Sequence, residues 1–193
     1  MEQFSKAVLD RMAYLEHADR REPGEGTIRL RQISKETGQF LLNLARTAPQ
    51  GEFLEIGTSG GYSALWLSQA CKERDITLTT FEREPYKQKI AEETFNTTNT
   101  TIHFIKDDAA NHLNKYKHIA FCFLDSTKDT YIPFYNSIIP NLMPEGILAI
   151  DNMISHKRSL REFIALVRQD SRITVEEIKI GTGIFICRKT KLL

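Results

Sequence analysis

The chain has 193 residues and a mass of 22.2 kDa, with 41% hydrophobic and 26% charged residues. That balance excludes disordered, collagenous and coiled-coil chains and fits a single soluble globular domain. Lys plus Arg (26) nearly cancels Asp plus Glu (25), so no global field draws the protein onto nucleic acid or a membrane.

Cys71, Cys122 and Cys187 are far apart, form no CxxC pair and are odd in number, against a disulfide framework or a cysteine-rich zinc site. The opening MEQFSKAVLDRMAYLEHADRR scatters charges through its length, unlike a signal peptide. No apolar run approaches the roughly 20 residues of a membrane helix. The expectation is a cytoplasmic protein in which residues 1–193 form one domain, with 1–33 an N-terminal helical cap.

Phe4, Val8, Met12 and Leu15 draw an apolar stripe along a first helix, broken at Pro23-Gly24-Glu25-Gly26. A second helix starts at Ser34, whose hydroxyl can cap free N–H groups, and ends at Ala48-Pro49-Gln50-Gly51. The chain then alternates between two periods. Glu52–Ile56 is a strand, Tyr62–Cys71 a helix, Ile76–Phe81 a strand, and Pro85–Phe95 a helix with proline in its first turn. After the polar turn Asn96–Thr100 come strand Thr101–Ile105, a short helix beyond Asp108, and strand Ile119–Leu124, apolar enough to be buried on both faces. Helix Asp129–Ile139, strand Ile147–Ile150 and helix Lys157–Val167 follow. Ile173–Ile180 and Ile184–Arg188 close the chain as a hairpin across Gly181-Thr182-Gly183, so the last strand is antiparallel. Five strand–helix alternations predict an α/β fold with a mostly parallel sheet and helices on both faces.

In such sheets ligands sit beyond the carboxyl ends of the strands. After the first strand comes Gly57-Thr58-Ser59-Gly60-Gly61, where glycine lets backbone N–H groups approach a ligand and the next helix start favours negative charge. Its G-x-x-G-G spacing is not the dinucleotide G-x-G-x-x-G. Glu82 follows the second strand, at a spacing that suits an acceptor for two ribose hydroxyls. Asp107-Asp108-Ala109 follows the third; Asp108 can accept from an adenine amino group, cap a helix, or do both. Asp125-Ser126-Thr127-Lys128 ends the fourth strand and Asp151-Asn152 the fifth. Asp125, Asp151 and Asn152 are hard oxygen ligands at adjacent strand ends, a set that suits Mg²⁺, Mn²⁺ or Ca²⁺.

These segments together resemble the metal-dependent O-methyltransferases that use S-adenosylmethionine, the group of the catechol and caffeoyl-CoA enzymes and their bacterial relatives. The resemblance covers about Ile33 to Arg188. It rests on Glu55-Ile56-Gly57-Thr58-Ser59-Gly60-Gly61-Tyr62-Ser63, Glu82, Phe123-Leu124-Asp125-Ser126-Thr127-Lys128-Asp129-Thr130-Tyr131 and Asp151-Asn152. It implies a Rossmann-like class I methyltransferase fold with a seven-stranded sheet. It also implies that Glu55, Gly57, Gly61, Tyr62 and Ser63 hold the methionine part of S-adenosylmethionine, Ser63 near its carboxylate. Glu82 would bind the ribose and Asp108 lie by the adenine. Asp125, also counted among the cofactor residues, would hold a divalent ion with Asp151 and Asn152, and Lys128 would be the general base.

The implied reaction moves a methyl group to a hydroxyl of a small catechol-like or phenolic acceptor. Methylation of a hydroxylated tRNA nucleoside is the alternative, disfavoured by the neutral charge balance, and a nucleotide-binding dehydrogenase or non-catalytic binder is a weaker one. Related enzymes are often homodimers, and the same is expected here. Thr127 replaces a large aromatic of the catechol enzyme, and His156 a proline. His156 either lines the acceptor pocket or is an ordinary loop histidine. Arg20, Arg21, Arg29 and Arg31 form either a solvated basic loop or a surface for an anionic acceptor.

Overall fold

The computed structural model describes residues 4–20 and 29–190; the Pro23–Gly26 breaker, Arg21 and the side chain of Arg20 lie outside them. Helices α1 (Lys6–Arg20) and α2 (Lys35–Arg46) precede β1 (Glu52–Ile56), α3 (Tyr62–Lys72), β2 (Leu78–Phe81), α4 (Pro85–Thr98) and β3 (His103–Ile105). Then follow β4 (Ile119–Leu124), α5 (Tyr131–Ile138), β5 (Leu142–Ile150), α6 (Arg161–Gln169), β6 (Ile173–Ile178) and β7 (Ile184–Lys189). The seven strands form one sheet in the order β3-β2-β1-β4-β5-β7-β6. β1 to β5 pair in parallel, and β7 runs antiparallel to both β5 and β6, the Rossmann-like α/β arrangement expected.

The period of two along the strands builds two cores. Phe53 of β1, Phe121 and Phe123 of β4, and Ile147 and Ala149 of β5 face α1–α4, while Leu54, Ile56, Cys122, Leu124, Leu148 and Ile150 face α5 and α6. Phe53 stacks on Phe121 with ring centroids 5.5 Å apart. Each such fully buried side chain contributes about 1.5–3 kcal/mol. All three cysteines are buried and free. Ser34 caps α2, its hydroxyl accepting from the Thr37 N–H at 3.2 Å.

Several boundaries differ from the sequence expectation. The segment beyond Asp108 forms two short 3₁₀ turns, Ala109–Asn111 and Leu113–Lys115, and no α-helix. The helix expected from Asp129 opens instead with a 3₁₀ turn at Lys128–Thr130, and α5 proper begins at Tyr131. The helix expected from Lys157 begins at Arg161, after a run of turns. The polar residues Asn96–Thr98 continue α4, where the Thr97 and Thr98 hydroxyls bond back to carbonyls of the preceding turn. β5 starts five residues earlier than Ile147, and β2 two residues later than Ile76.

The sheet ladder also positions the site, because it continues one residue past several strands. The Gly57 N–H donates to the Phe81 carbonyl (3.1 Å) and that of Glu82 to Ile105 (3.1 Å). The Asp125 N–H donates to Ile56 (3.0 Å) and that of Asp151 to Leu124 (3.1 Å). Glu82, Gly57, Asp125 and Asp151 therefore stand in a row along the carboxyl edge, where the strand order reverses between β1 and β4.

Candidate active site

A cavity of about 670 Å³ opens along that edge. Of the residues expected in the site, all but Glu55 and Gly61 line it.

Gly57 and Gly61 adopt φ of +104° and +90°, values that L side chains rarely tolerate. A Cβ on Gly57 would also collide with the Asp125 carbonyl oxygen. The resulting loop delivers the start of α3, whose first N–H groups have no intrahelical partners, to the cavity. Tyr62 is buried, and its hydroxyl donates to Glu16 of α1 at 2.6 Å, tying the loop to the N-terminal helix.

Glu82 is almost fully buried, and each of its carboxylate oxygens accepts one backbone N–H: Oε2 from Ser59 (2.8 Å) and Oε1 from Glu84 (2.9 Å). Each oxygen keeps lone-pair capacity, so a fixed pair of acceptors faces the cavity. Asp108 caps the first 3₁₀ turn by accepting from the Ala110 N–H at 2.9 Å. It also lies 3.4 Å from the Arg83 guanidinium and lines the cavity.

Glu55 stands apart from the expectation. It is fully buried beneath the loop, where the Thr58 and Thr80 hydroxyls lie 2.5 Å apart and Thr80 donates to Glu55 Oε2 at 2.5 Å. Burial raises its pKa to about 7, against the lowering effect of the Ser63 and Thr80 hydroxyls. Glu55 acts on the glycine loop through two threonines and does not line the cavity. Between the ordinary carboxyl pKa and about 7, the folded state holds a proton that the unfolded state has released, so stability falls as pH rises through that window. Glu55→Gln removes the penalty and stabilises the protein at pH 8.5 by up to about 3 kcal/mol, with little effect at pH 4.5. Urea unfolding at the two pH values checks this; a variant less stable than the parent at pH 8.5 would contradict it.

At the other end of the cavity, Asp125, Lys128, Tyr131, Asp151 and Asn152 form one network. The Asn152 amide, on a residue at φ +69°, donates to Asp125 Oδ1 at 2.8 Å and lies 3.4 Å from Asp151 Oδ2. Thr182, from the β6–β7 turn, donates to Asp151 Oδ1 at 2.5 Å. Lys128 Nζ donates to the Ser126 carbonyl (3.0 Å) and the Tyr131 hydroxyl (2.8 Å), and lies 3.8 Å from Asp125 Oδ1. Burial pushes both aspartates up, and the Asp151 charge raises Asp125 further. Burial pushes Lys128 down, the two aspartates oppose it, and the Arg31 charge adds to the lowering.

The buried Asp151 and the partly buried Asp125, sharing the site with the single amine of Lys128, are under-compensated in charge. Asp125 and Asp151 suit a divalent cation, and Asn152 would join them as an oxygen ligand with its amide turned over from the orientation in which its nitrogen donates to Asp125. Among the described residues no group of three His, Cys, Asp or Glu side chains forms a metal cluster; this set has only two acids.

Tyr131 and Thr182 carry no role in the sequence reading. Tyr131 closes the quoted motif three residues after Lys128, and that spacing was its available signal. Thr182 sits in a turn that reads only as a hairpin connection. His156 does line the cavity, with Nδ1 2.8 Å from the Ser155 hydroxyl, and Thr127 accepts from Arg83 at 3.4 Å.

Residues 9–190 match the profile of the O-methyltransferase family. The chain belongs to that family. It is 24% identical to the caffeoyl-CoA O-methyltransferase of Populus kitakamiensis, over 85% of this chain and 80% of the relative. Its fold is shared with the methyltransferase PaMTH1 of Podospora anserina, solved with S-adenosylhomocysteine (TM-score 0.80, 20% identity, 97% of this chain and 89% of that one). It is shared equally with TomG of Streptomyces achromogenes, an O-methyltransferase of tomaymycin synthesis solved with S-adenosylmethionine (TM-score 0.79, 21% identity, 97% and 91%). Membership makes this chain an S-adenosylmethionine-dependent O-methyltransferase with the class I fold. Among the described residues no helix is long and apolar enough to cross a membrane.

Proposed function

We propose that the cavity transfers the methyl group of S-adenosylmethionine to one hydroxyl of a small acceptor carrying adjacent oxygens, a catechol or phenolic acid, with a divalent cation at Asp125, Asp151 and Asn152. The observation that carries this reading is that the Glu82 acceptor pair and the Lys128–Asp125–Asp151–Asn152 network open into one cavity. The name of the poplar relative, for a methyltransferase of an aromatic thioester, supports an aromatic acceptor.

In this mechanism Glu82 receives both ribose hydroxyls on its free lone pairs, while Ser63 and the start of α3 face the methionine carboxylate. Asp108 and Arg83 border the adenine. Asp125, Asp151 and Asn152 would hold a divalent cation, which when bound would supply Lewis-acid stabilisation of the ionised acceptor hydroxyl. Lys128, held by Ser126 and Tyr131, takes the hydroxyl proton in its neutral form, which burial favours. The acceptor oxygen then forms its bond to the methyl carbon as the carbon–sulfur bond breaks, leaving S-adenosylhomocysteine. Alignment supplies much of the rate.

Label transfer from methyl-labelled S-adenosylmethionine to a panel of vicinal diols, monophenols and bulk tRNA tests the acceptor. Transfer confined to vicinal diols is expected; transfer confined to tRNA or to monophenols contradicts the reading. The donor half has its own check. Removing the acceptor pair in Glu82→Ala costs about 1–3 kcal/mol of S-adenosylmethionine affinity. Unchanged affinity by calorimetry removes Glu82 from the site.

A further inference from the structure

The segment between α1 and α2 supplies a wall of the cavity that no motif of the reaction accounts for. Arg29, Arg31 and Gln32 line the cavity beside Ser34 and Thr37. Across from them, the β6–β7 turn packs close enough that a Cβ on Gly181 would meet the Thr37 hydroxyl and lie 3.8 Å from that of Ser34. That same turn carries Thr182, the partner of Asp151. The wall therefore runs from the donor loop, where the Ser59 hydroxyl donates to the Leu30 carbonyl at 2.7 Å, to the Asp151 end of the cavity, where Thr37 meets the β6–β7 turn.

Arg31 is held there by an uncommon backbone. It sits at φ +53°, and Asp19 of α1 accepts both the Arg31 N–H (2.8 Å, Oδ1) and the Gln32 N–H (3.3 Å, Oδ2). The carboxylate of Asp19 is thus engaged with the main chain. Among the described residues the Arg31 guanidinium has no ion-pair partner, whereas Arg83, which also lines the cavity, is committed to Glu84 (3.7 Å) and Asp108 (3.4 Å). Arg31 stands near enough to Lys128 for its charge to act on that amine. An exposed guanidinium without an ion pair among the described residues, on the wall of the cavity, is a ready fork for a planar anion.

We propose that Arg31 reads a carboxylate on the acceptor, so that the preferred substrate is a vicinal aromatic diol carrying a free carboxyl group. The inference rests on the acceptor reading above and deepens it. A planar bidentate group matches one guanidinium.

The test compares kcat/KM for 3,4-dihydroxybenzoate and its methyl ester, which differ in charge and share the reacting diol. A coenzyme A thioester of the same acid is the third acceptor. Wild-type enzyme is expected to favour the free acid over the ester by about 10–100-fold, the scale of a charge-assisted hydrogen-bond pair. Arg31→Met is expected to bring that ratio near one, and Arg31→Lys to keep part of it. An equal ratio in the wild type, or a preference that survives Arg31→Met, overturns the inference while the diol chemistry stands. A thioester preference abolished by Arg31→Met moves the recognised anion to phosphate and also overturns it. No transfer to any of the three overturns the acceptor reading itself, and the inference with it.

Discussion

Lys128→Ala lowers kcat by about 10²–10⁴-fold, the usual worth of a positioned general base. The lysine is fixed by the Ser126 carbonyl and the Tyr131 hydroxyl, 3.8 Å from Asp125, so its loss removes a proton acceptor from one defined place. S-adenosylmethionine affinity changes little, because the donor is held at the Glu82 end of the cavity. Lys128→Arg does not restore activity, since a guanidinium stays protonated. Steady-state kinetics with saturating donor decide the matter, and an arginine variant with near wild-type kcat would reduce Lys128 to an electrostatic role.

The second large effect belongs to the aspartate pair. Asp151→Ala takes away the buried carboxylate of the pair and the anchor of Thr182. Transition-state stabilisation by a cation is worth several kcal/mol, so kcat falls by about 10²-fold or more. Exhaustive chelation of the wild type has the same consequence, and added Mg²⁺ reverses it. Titration calorimetry separates a metal defect from a folding defect: Mg²⁺ binds the wild type and not the variant, while the circular dichroism of the two agrees. Full turnover of chelated Asp151→Ala would remove the cation from the mechanism.

Asp125 and Asp151 are legible in the sequence because each directly follows an apolar run that ends a strand. β4 is buried along its whole length, and Asp125 is the first residue beyond it. The ladder that continues past β1, β2, β4 and β5 turns this sequence position into spatial adjacency. Glu55 shows the limit of such reasoning. The motif contains it, but the period of two turns its side chain under the loop onto Thr80. Helix boundaries failed where side chains overrode propensity. The threonine hydroxyls of α4 bond to its own carbonyls and carry the helix past Asn96. The segment from Met153 to Leu160 is held instead by turns against the β6–β7 connection, with the Ile154 and Ser155 N–H groups both on the Thr182 carbonyl. Arg31 and Thr182 reach the cavity through long-range packing, which has no local pattern in sequence.

The most direct measurement of the central claim follows a ¹³C-labelled methyl group by NMR, with purified protein, S-adenosylmethionine, Mg²⁺ and a vicinal aromatic diol. The account predicts growth of one O-methyl resonance on the diol, matched mole for mole by S-adenosylhomocysteine. A label that stays on the donor, or that appears on nitrogen or ring carbon, would contradict it.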